Sequence, residues 1–551
     1  MVFSRKSVVN FGITLLQKKL RLANFIFTRR NENYKLLNIG SALKLGRTSI
    51  FAVYSIMTPV QLLPTDNSAI AKLVHGDMSP ITVIGNEAIR ATFDEKTLQQ
   101  AINTRCAAGV IDVAINPDAH CGYGAPIGCV MVSPSHVFPG PIGVDIKCSM
   151  SLLQFDLPAE EIREKPIRRA LIQAICNRTP TGAGQGQRNV KKGRQFPKGL
   201  PRQAIIEGAT ESVCEQFGIP FDWTERCEDA IHYGHDRSSR ALEHRLDRIL
   251  KEKFMCNFGE KMTQFGSYGG GNHFGECEIM SIEQDEQARR VAEVFGLRDG
   301  HVAFLSHCGS RGFGNILATE QFKIMQRKFK EAKIPFPGND RELVYAPVGS
   351  HEADDYFDDM ALGANFATVN HLLINALVWE AFREIFPDVQ ARFVYFISHN
   401  IVRRENWKDQ SVLVHRKGAT RAFPAGHHAL RDTPFESTGH PILLPGNPQG
   451  GSAVMVGLPG AELTAYSINH GAGRVMGRRN AAKTLDQKTV DQEIFDSDIL
   501  TNCRSYPLDE APAAYKNFED VLHSVKQAGL ASEVARLRAT FVIKDGDQAD
   551  D

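Results

Sequence analysis

Net charge is nearly absent from this chain. Its 64 Lys and Arg are offset by 63 Asp and Glu, leaving +1 at pH 7 over 551 residues. A global basic excess is therefore excluded as a route to nucleic acid, and any polyanion has to be met by a local patch. Cysteine is sparse: 11 residues, none spaced CxxC and none in a disulfide framework. That excludes a disulfide-stapled secreted domain and points to reduced thiols, with the cytoplasm as the expected compartment. No GxGxxG opens a helix after a strand, and no GxxxxGK precedes Ser or Thr, which argues against Rossmann and P-loop nucleotide sites. No fixed-period repeat is present. The apolar run "SIFAVYSIM" falls far short of the ~20 residues of a membrane span, so no membrane partner is expected.

Acidic residues are missing from the first 31 positions. These carry Arg5, Lys6, Lys18, Lys19, Arg21, Arg29 and Arg30 among apolar and hydroxyl residues. Such a composition fits a mitochondrial-type transit peptide over residues 1–56, which would send the protein to an organelle. The other reading is a non-functional tail upstream of a start at Met57.

What is present is ordinary globular composition, 42% hydrophobic and 23% charged, in a chain long enough to bury a core without disulfides. The layout predicted is a basic extension over 1–69, one large domain over 70–544, and an acidic tail, "DGDQADD", over 545–551. Within the domain, "GVIDVAINPDAH", "GCVMVSP", "HVAFLSH", "ARFVYFISH", "SVLVH" and "AVMVG" read as short buried strands. "RSSRALEHRLDRILKEKF" puts Leu242, Leu246, Ile249 and Leu250 on one helical face, and "FATVNHLLINALVWEAFREIF" reads as a core helix. The class is α+β, with mixed sheets and flanking helices. The Gly-rich basic stretch 178–199 is expected to be a mobile loop, either a lid over a polyanion or simply solvated.

Metal-ligating residue types recur where strands end. "GVDIKC" sets Asp145 and Cys148 three apart on a turn. "GGGNHFGE" presents His273, "LSHCGSRG" presents His307 and "FISHN" presents His399. Donors taken from several strand ends can converge on one point, as rigid metal sites require. One thiolate, one carboxylate and three imidazoles suffice for one or two transition ions. Any one histidine alone reads more simply as a hydrogen-bonded core residue. Thiolate and imidazole suit zinc, iron, cobalt or copper, so the donor types do not choose the metal. A second group of stretches, "SRGFGN", "RKGATRA" and "HGAGR", pairs Arg311, Lys417, Arg421 and Arg474 with glycines. Glycines let backbone N–H groups approach an anion, and guanidinium forks match phosphate oxygens. Beside a metal site, the three together suggest phosphate chemistry. His470 itself stays open at this point, as a core residue, a ligand or a nucleophile.

The ordered set "PDAHCGYGAPIG", "GVDIKC", "GGGNHFGE", "SHCGSRGFG", "SHN", "RKGATRAF", "LPGNPQGG", "HGAGR" and "AYKNFEDV" resembles the RtcB family of RNA-splicing and RNA-repair ligases. The likeness spans roughly residues 80–525. It implies an RtcB-like α+β domain that joins an RNA 3′-phosphate or 2′,3′-cyclic phosphate to a 5′-hydroxyl, using GTP and two manganese ions. The substrates implied are tRNA halves or broken RNA, with room for an activating protein partner. By resemblance, Cys148 would bridge the ions, Asp145 and His273 would complete one, and His307 and His399 the other. His470 would be the histidine that becomes guanylylated. Asn272, Glu276, Asn447, Gly471, Gly473, Arg474 and Lys516 would line the nucleotide, with Glu276 and Lys516 on the guanine, and Arg311, Lys417 and Arg421 would meet RNA phosphates.

Two positions depart from the family pattern. The turn that commonly carries a serine reads "PGNPQGG", with Asn447 followed by Pro448, which lacks a backbone donor. Downstream of "HGAGR", Gly477 stands where a serine is usual. Both mark a divergent branch. Two other functions compete with ligation: an RNA-end phosphodiesterase or phosphatase, and an RNA-binding subunit without turnover. The complete donor set and His470 speak against the second of these.

Overall fold

The segment 391–421 is the hinge of the architecture. Strand Ala391–Ser398 belongs to one sheet, His399 is a single-residue joint, and strand Asn400–Trp407 belongs to another. Lys408 and Asp409 both take positive φ (48° and 58°), the two-residue turn that matches the twist of a hairpin. The chain then returns as Gln410–Lys417, and after Gly418 continues as Ala419–Arg421. This is a computed structural model; it describes residues 60–231 and 237–546, which lie in the compact unit that starts at Pro59.

The first sheet runs Gln61–Pro64, Ile70–Val74, Ile81–Ile84, Asp112–His120, Ile127–Ser133, Gln410–Lys417, Asn400–Trp407. It is antiparallel except where Ile81–Ile84 pairs with Asp112–His120. The second sheet runs Ala391–Ser398, Ser149–Pro158, His301–Cys308, Phe274–Ile282, Ala531–Lys544, Ser452–Gly457, Pro441–Pro445. Leu500–Thr501 adds a parallel strand to Ala531–Lys544. The mixed sheets and flanking helices expected of an α+β domain are what the chain forms. The sheet starts upstream of residue 70, because Gln61–Pro64 pairs with Ile70–Val74. That edge strand is mostly exposed and so carries little apolar signal. The basic extension lies outside the described residues up to position 59, as does the acidic tail from 547 on.

The core is organised around helix His351–Ile385. Ser350 caps it, accepting from the Ala353 N–H at 3.3 Å, with Glu352 and Asp354 in the first turn, where the helix dipole favours them. Every residue from Asp358 to Val378 is buried, so the helix is enclosed on all sides. It is long and apolar enough to cross a membrane, and its most apolar window lies wholly inside the protein. The sequence placed its start at Phe366; the structure starts it 15 residues earlier, at His351. The added turns are acidic and look like surface. Arg245 of helix Ser239–Ile249 pairs with Asp355 at 2.7 Å and Asp359 at 2.6 Å and draws them inside.

Stretch 178–199 is anchored rather than loose. Gln187 is 3% exposed; its amide donates to Gly266 O (2.7 Å) and Arg178 O (2.9 Å) and accepts from Arg194 N (2.9 Å). Arg178 and Lys192 each reach Glu384 at 2.6 Å, and Arg194 pairs with Glu380.

Candidate active site

Antiparallel register brings the candidate donors to one end of the second sheet. Cys148 immediately precedes strand Ser149–Pro158, and His273 precedes Phe274–Ile282. His307 lies opposite both Met150 and Phe274, and Ser398, just before His399, lies opposite Ser149. Four neighbouring strands, each about 4.8 Å from the next, therefore end on the same point. Asp145 joins from the turn before Cys148, closed by Cys148 N to Asp145 O at 3.2 Å.

The side chains form two groups that share a thiol: Asp145, Cys148 and His273, and Cys148, His307 and His399. Cys148 Sγ is 3.4 Å from His273 Nε2 and 3.2 Å from His307 Nε2. His273 Nε2 is 2.9 Å from Asp145 Oδ2, and His307 Nε2 is 3.4 Å from His399 Nε2. Ligand bonds of about 2.1 Å in a tetrahedral shell put neighbouring donors about 3.4 Å apart, so these separations fit ion coordination. The far ring nitrogens support that orientation. His273 Nδ1 donates to Tyr268 O (2.7 Å) and His307 Nδ1 to Asn272 O (3.0 Å), aiming both Nε2 atoms inward. Asp145 Oδ1 accepts from Ser310 N at 3.0 Å.

Burial, then the neighbouring imidazoles, holds His307 and His399 well below the ordinary histidine range. Both are neutral, the form that ligates. Burial pushes Asp145 up, but the hydrogen bond and charge of His273 outweigh it and the carboxyl lies below its usual range. Burial and then the Asp145 charge push the Cys148 thiol far up.

His470 stands beside this cluster. It follows strand Ser467–Asn469, which pairs with Ala419–Arg421 through Ala419↔Asn469. Its ring centroid is 4.5 Å from that of His399. Nδ1 is 2.8 Å from Asp118 Oδ2 and 2.9 Å from Gly418 O. Both partners are acceptors, so Nδ1 carries a proton and Nε2 is the ring atom left to react. Asp118 is 0% exposed. A Cβ on Gly473, at φ 74°, would collide with the Asp118 carbonyl, so this glycine permits the close approach. Gly471 is buried beside the Pro445 carbonyl.

The sequence reading missed Asp118. Its signal was a carboxylate near the end of an apolar strand, inside "PDAH". Lys516, 1% exposed, brackets that aspartate, donating to Pro117 O at 2.9 Å and Ala119 O at 2.7 Å. Burial lowers its pKa to about 7. Glu276 faces Glu278 on one strand, and burial raises Glu276 to about 7. Glu278 is 0% exposed, and burial, then Glu276, holds it well above the carboxylate range. Asn272 is half-buried beside the cluster. Asn447 closes its own turn, accepting from Gln449 N (3.1 Å) and Gly450 N (2.9 Å).

The basic residues expected on phosphate are occupied inside the protein. Arg474 bonds Glu510 and Tyr515, both at 3.3 Å. Arg311 bonds Ser267 Oγ at 3.1 Å and Gly182 O at 3.2 Å. Lys417 donates to Gly140 O at 3.0 Å and to Tyr123 O. Arg421 meets Glu405 at 3.1 Å and Glu228 at 3.2 Å, on the wall of a separate cavity of about 780 Å³.

These features define a class: a protein with a buried Cys/His/Asp cluster that could hold transition ions, beside a histidine oriented by a buried carboxylate. A family model described as tRNA-splicing ligase RtcB matches residues 100–545. Relatives named tRNA-splicing ligase RtcB are similar to it in sequence. That of Thermococcus kodakarensis is 32% identical over 83% of this chain and 93% of the relative. Those of Archaeoglobus fulgidus (34%; 82% and 92%) and Pyrobaculum aerophilum (35%; 82% and 91%) are similarly close. The chain belongs to the RtcB family.

Proposed function

We propose that this protein is a GTP-dependent RNA ligase that uses manganese, joining a 3′-phosphate or 2′,3′-cyclic phosphate end to a 5′-hydroxyl end in tRNA splicing or RNA repair. The observation that carries the reading is the setting of His470. Its Nδ1–H is fixed by Asp118 and Gly418, which leaves Nε2 as the reacting atom, and its ring lies against the donor cluster. An imidazole so held is a nucleophile. Nε2 forms a bond to the α-phosphorus of GTP, and the bond to pyrophosphate breaks. Asp118 stabilises the positive charge that develops on the ring. An oxygen of the RNA 3′-phosphate, which for a cyclic end is first formed by water breaking the bond from phosphorus to the 2′ oxygen, then takes the GMP from His470. Finally the 5′-hydroxyl oxygen bonds to that 3′-phosphorus, its proton is lost, and GMP leaves.

Asp145, Cys148, His273, His307 and His399 would hold the ions, which supply charge neutralisation at phosphate oxygens. Glu276 would take guanine N–H groups on its carboxylate. The protein works on the RNA and needs no membrane.

The test is incubation with radiolabelled GTP and manganese, followed by denaturing electrophoresis. An acid-labile GMP adduct is expected on the wild type and not on His470→Ala. Equal labelling of both proteins, or of neither, refutes the reading. Conversion of a cyclic phosphate without joining would favour a phosphodiesterase instead.

A further inference from the structure

The chain has no global positive charge, yet between Glu164 and Glu207 it has no acidic residue at all. That stretch includes the anchored loop described above. Some of its cations are spent internally: Arg178 and Lys192 on Glu384, Arg194 on Glu380. A cavity of about 580 Å³ has Arg188 and Lys198 in its wall, with Lys191 and the paired Arg194 beside them, and no Asp or Glu. Arg188, Lys191 and Lys198 are exposed. Val190, Phe196 and Met262 give the cavity an apolar side, and Phe196 is backed by Phe217 at 4.7 Å between ring centroids.

Buried Gln187 holds the loop in shape before any ligand arrives, which lowers the ordering cost of binding. The same loop touches the candidate active site. Gly182 N donates to Gly269 O at 2.9 Å, beside Tyr268, whose carbonyl orients His273. The six steps of chain from Gly182 to Arg188 span at most about 22 Å. A concave site with cations on one side and an aromatic and aliphatic face on the other suits a single-stranded nucleic acid: phosphates meet the cations and a base or ribose meets the apolar face.

We propose that the 188–201 cavity is an RNA site that grips a single-stranded part of the substrate away from the ends being joined. It rests on the RNA-ligase reading above. The charge-neutralising pair Arg188→Gln and Lys198→Gln tests it in the full chain with manganese. Binding of a fluorescent single-stranded RNA with a 3′-phosphate is measured across salt concentrations. Two lost phosphate contacts lower the slope of log K against log salt by about 1.4, which is about 25-fold in affinity at 0.1 M salt, fading toward 1 M. A trinucleotide 3′-phosphate is expected to bind both proteins alike, and formation of the GMP adduct is expected to be unchanged.

An unaltered salt slope in the double variant overturns the proposal. So does wild-type binding of an acidic peptide that the double substitution abolishes while RNA binding stays intact, because the cavity then serves a protein partner. Failure of the wild type to form a GMP adduct sinks the ligase reading instead, and the RNA salt slope alone then decides whether the cavity binds RNA.

Discussion

Asp118→Ala and Asp118→Asn separate two contributions of one side chain to the nucleophile. Asp118 is wholly buried and lies 2.8 Å from His470 Nδ1, while Gly418 O accepts from the same nitrogen at 2.9 Å. The carbonyl keeps the ring in the correct tautomer in either variant, so the measured loss reports the aspartate alone. A hydrogen bond to a charged group contributes about 1.5–3 kcal/mol and a neutral one about 1. Removing the group altogether is therefore expected to slow adduct formation by about 10- to 150-fold. The asparagine retains an acceptor oxygen and loses only the charge, about 0.5–2 kcal/mol, or roughly 2- to 30-fold. The assay is the single-turnover rate of GMP transfer to the protein at saturating GTP, with melting temperatures measured alongside. A folded Asp118→Ala protein that reacts within twofold of wild type refutes the argument. So does an asparagine variant slower than the alanine one.

Gly473→Ala places a side chain at φ 74° against the Asp118 carbonyl; we expect a stability loss of about 1–3 kcal/mol in denaturant titration, with adduct formation impaired as well. Cys148→Ala removes the thiol common to both donor groups, whereas His273→Ala touches one. Elemental analysis after manganese loading should show the cysteine variant depleted at both positions and the histidine variant retaining one ion; equal retention contradicts a shared thiol. Glu278→Gln bears on pH. Burial and Glu276 raise Glu278, so its stabilising contribution is complete below the unfolded value and is lost as pH rises through the folded one. The window opens above the ordinary glutamate value of about 4.5. The variant's melting temperature should fall less than the wild type's between pH 5 and pH 8; parallel curves would show that the pair does not hold a proton.

Strand ends were the most legible feature of the sequence. At Cys148, His273, His307 and His399 an apolar run meets a ligating side chain within a residue of its end, and the register carries all four to one place. The pairing of Asp118 with His470 spans 352 positions and depends on how the sheets meet, which no local pattern encodes. Arginine beside glycine is an ambiguous signal. Arg311, Arg421 and Arg474 have the composition of phosphate ligands, but a turn that offers a guanidinium to an anion reads the same as one that seats it on Ser267, Glu405 or Glu510. The start of the core helix failed for a related reason, since Asp355 and Asp359 look solvated until Arg245 is seen against them. Loop 178–199 looked mobile because its anchor, Gln187, reaches out of the loop to the Thr263 and Gly266 carbonyls, which are distant in the chain.

The central claim is that His470 carries GMP to an RNA 3′-phosphate, which becomes the new linkage. The most direct measurement follows a radiolabelled 3′-phosphate on one RNA, mixed with a 5′-hydroxyl RNA, GTP and manganese. The account predicts that wild-type protein moves the label into an internal phosphodiester resistant to phosphatase, and that His470→Ala does not. Label released as inorganic phosphate, or joining that persists without His470, would contradict it.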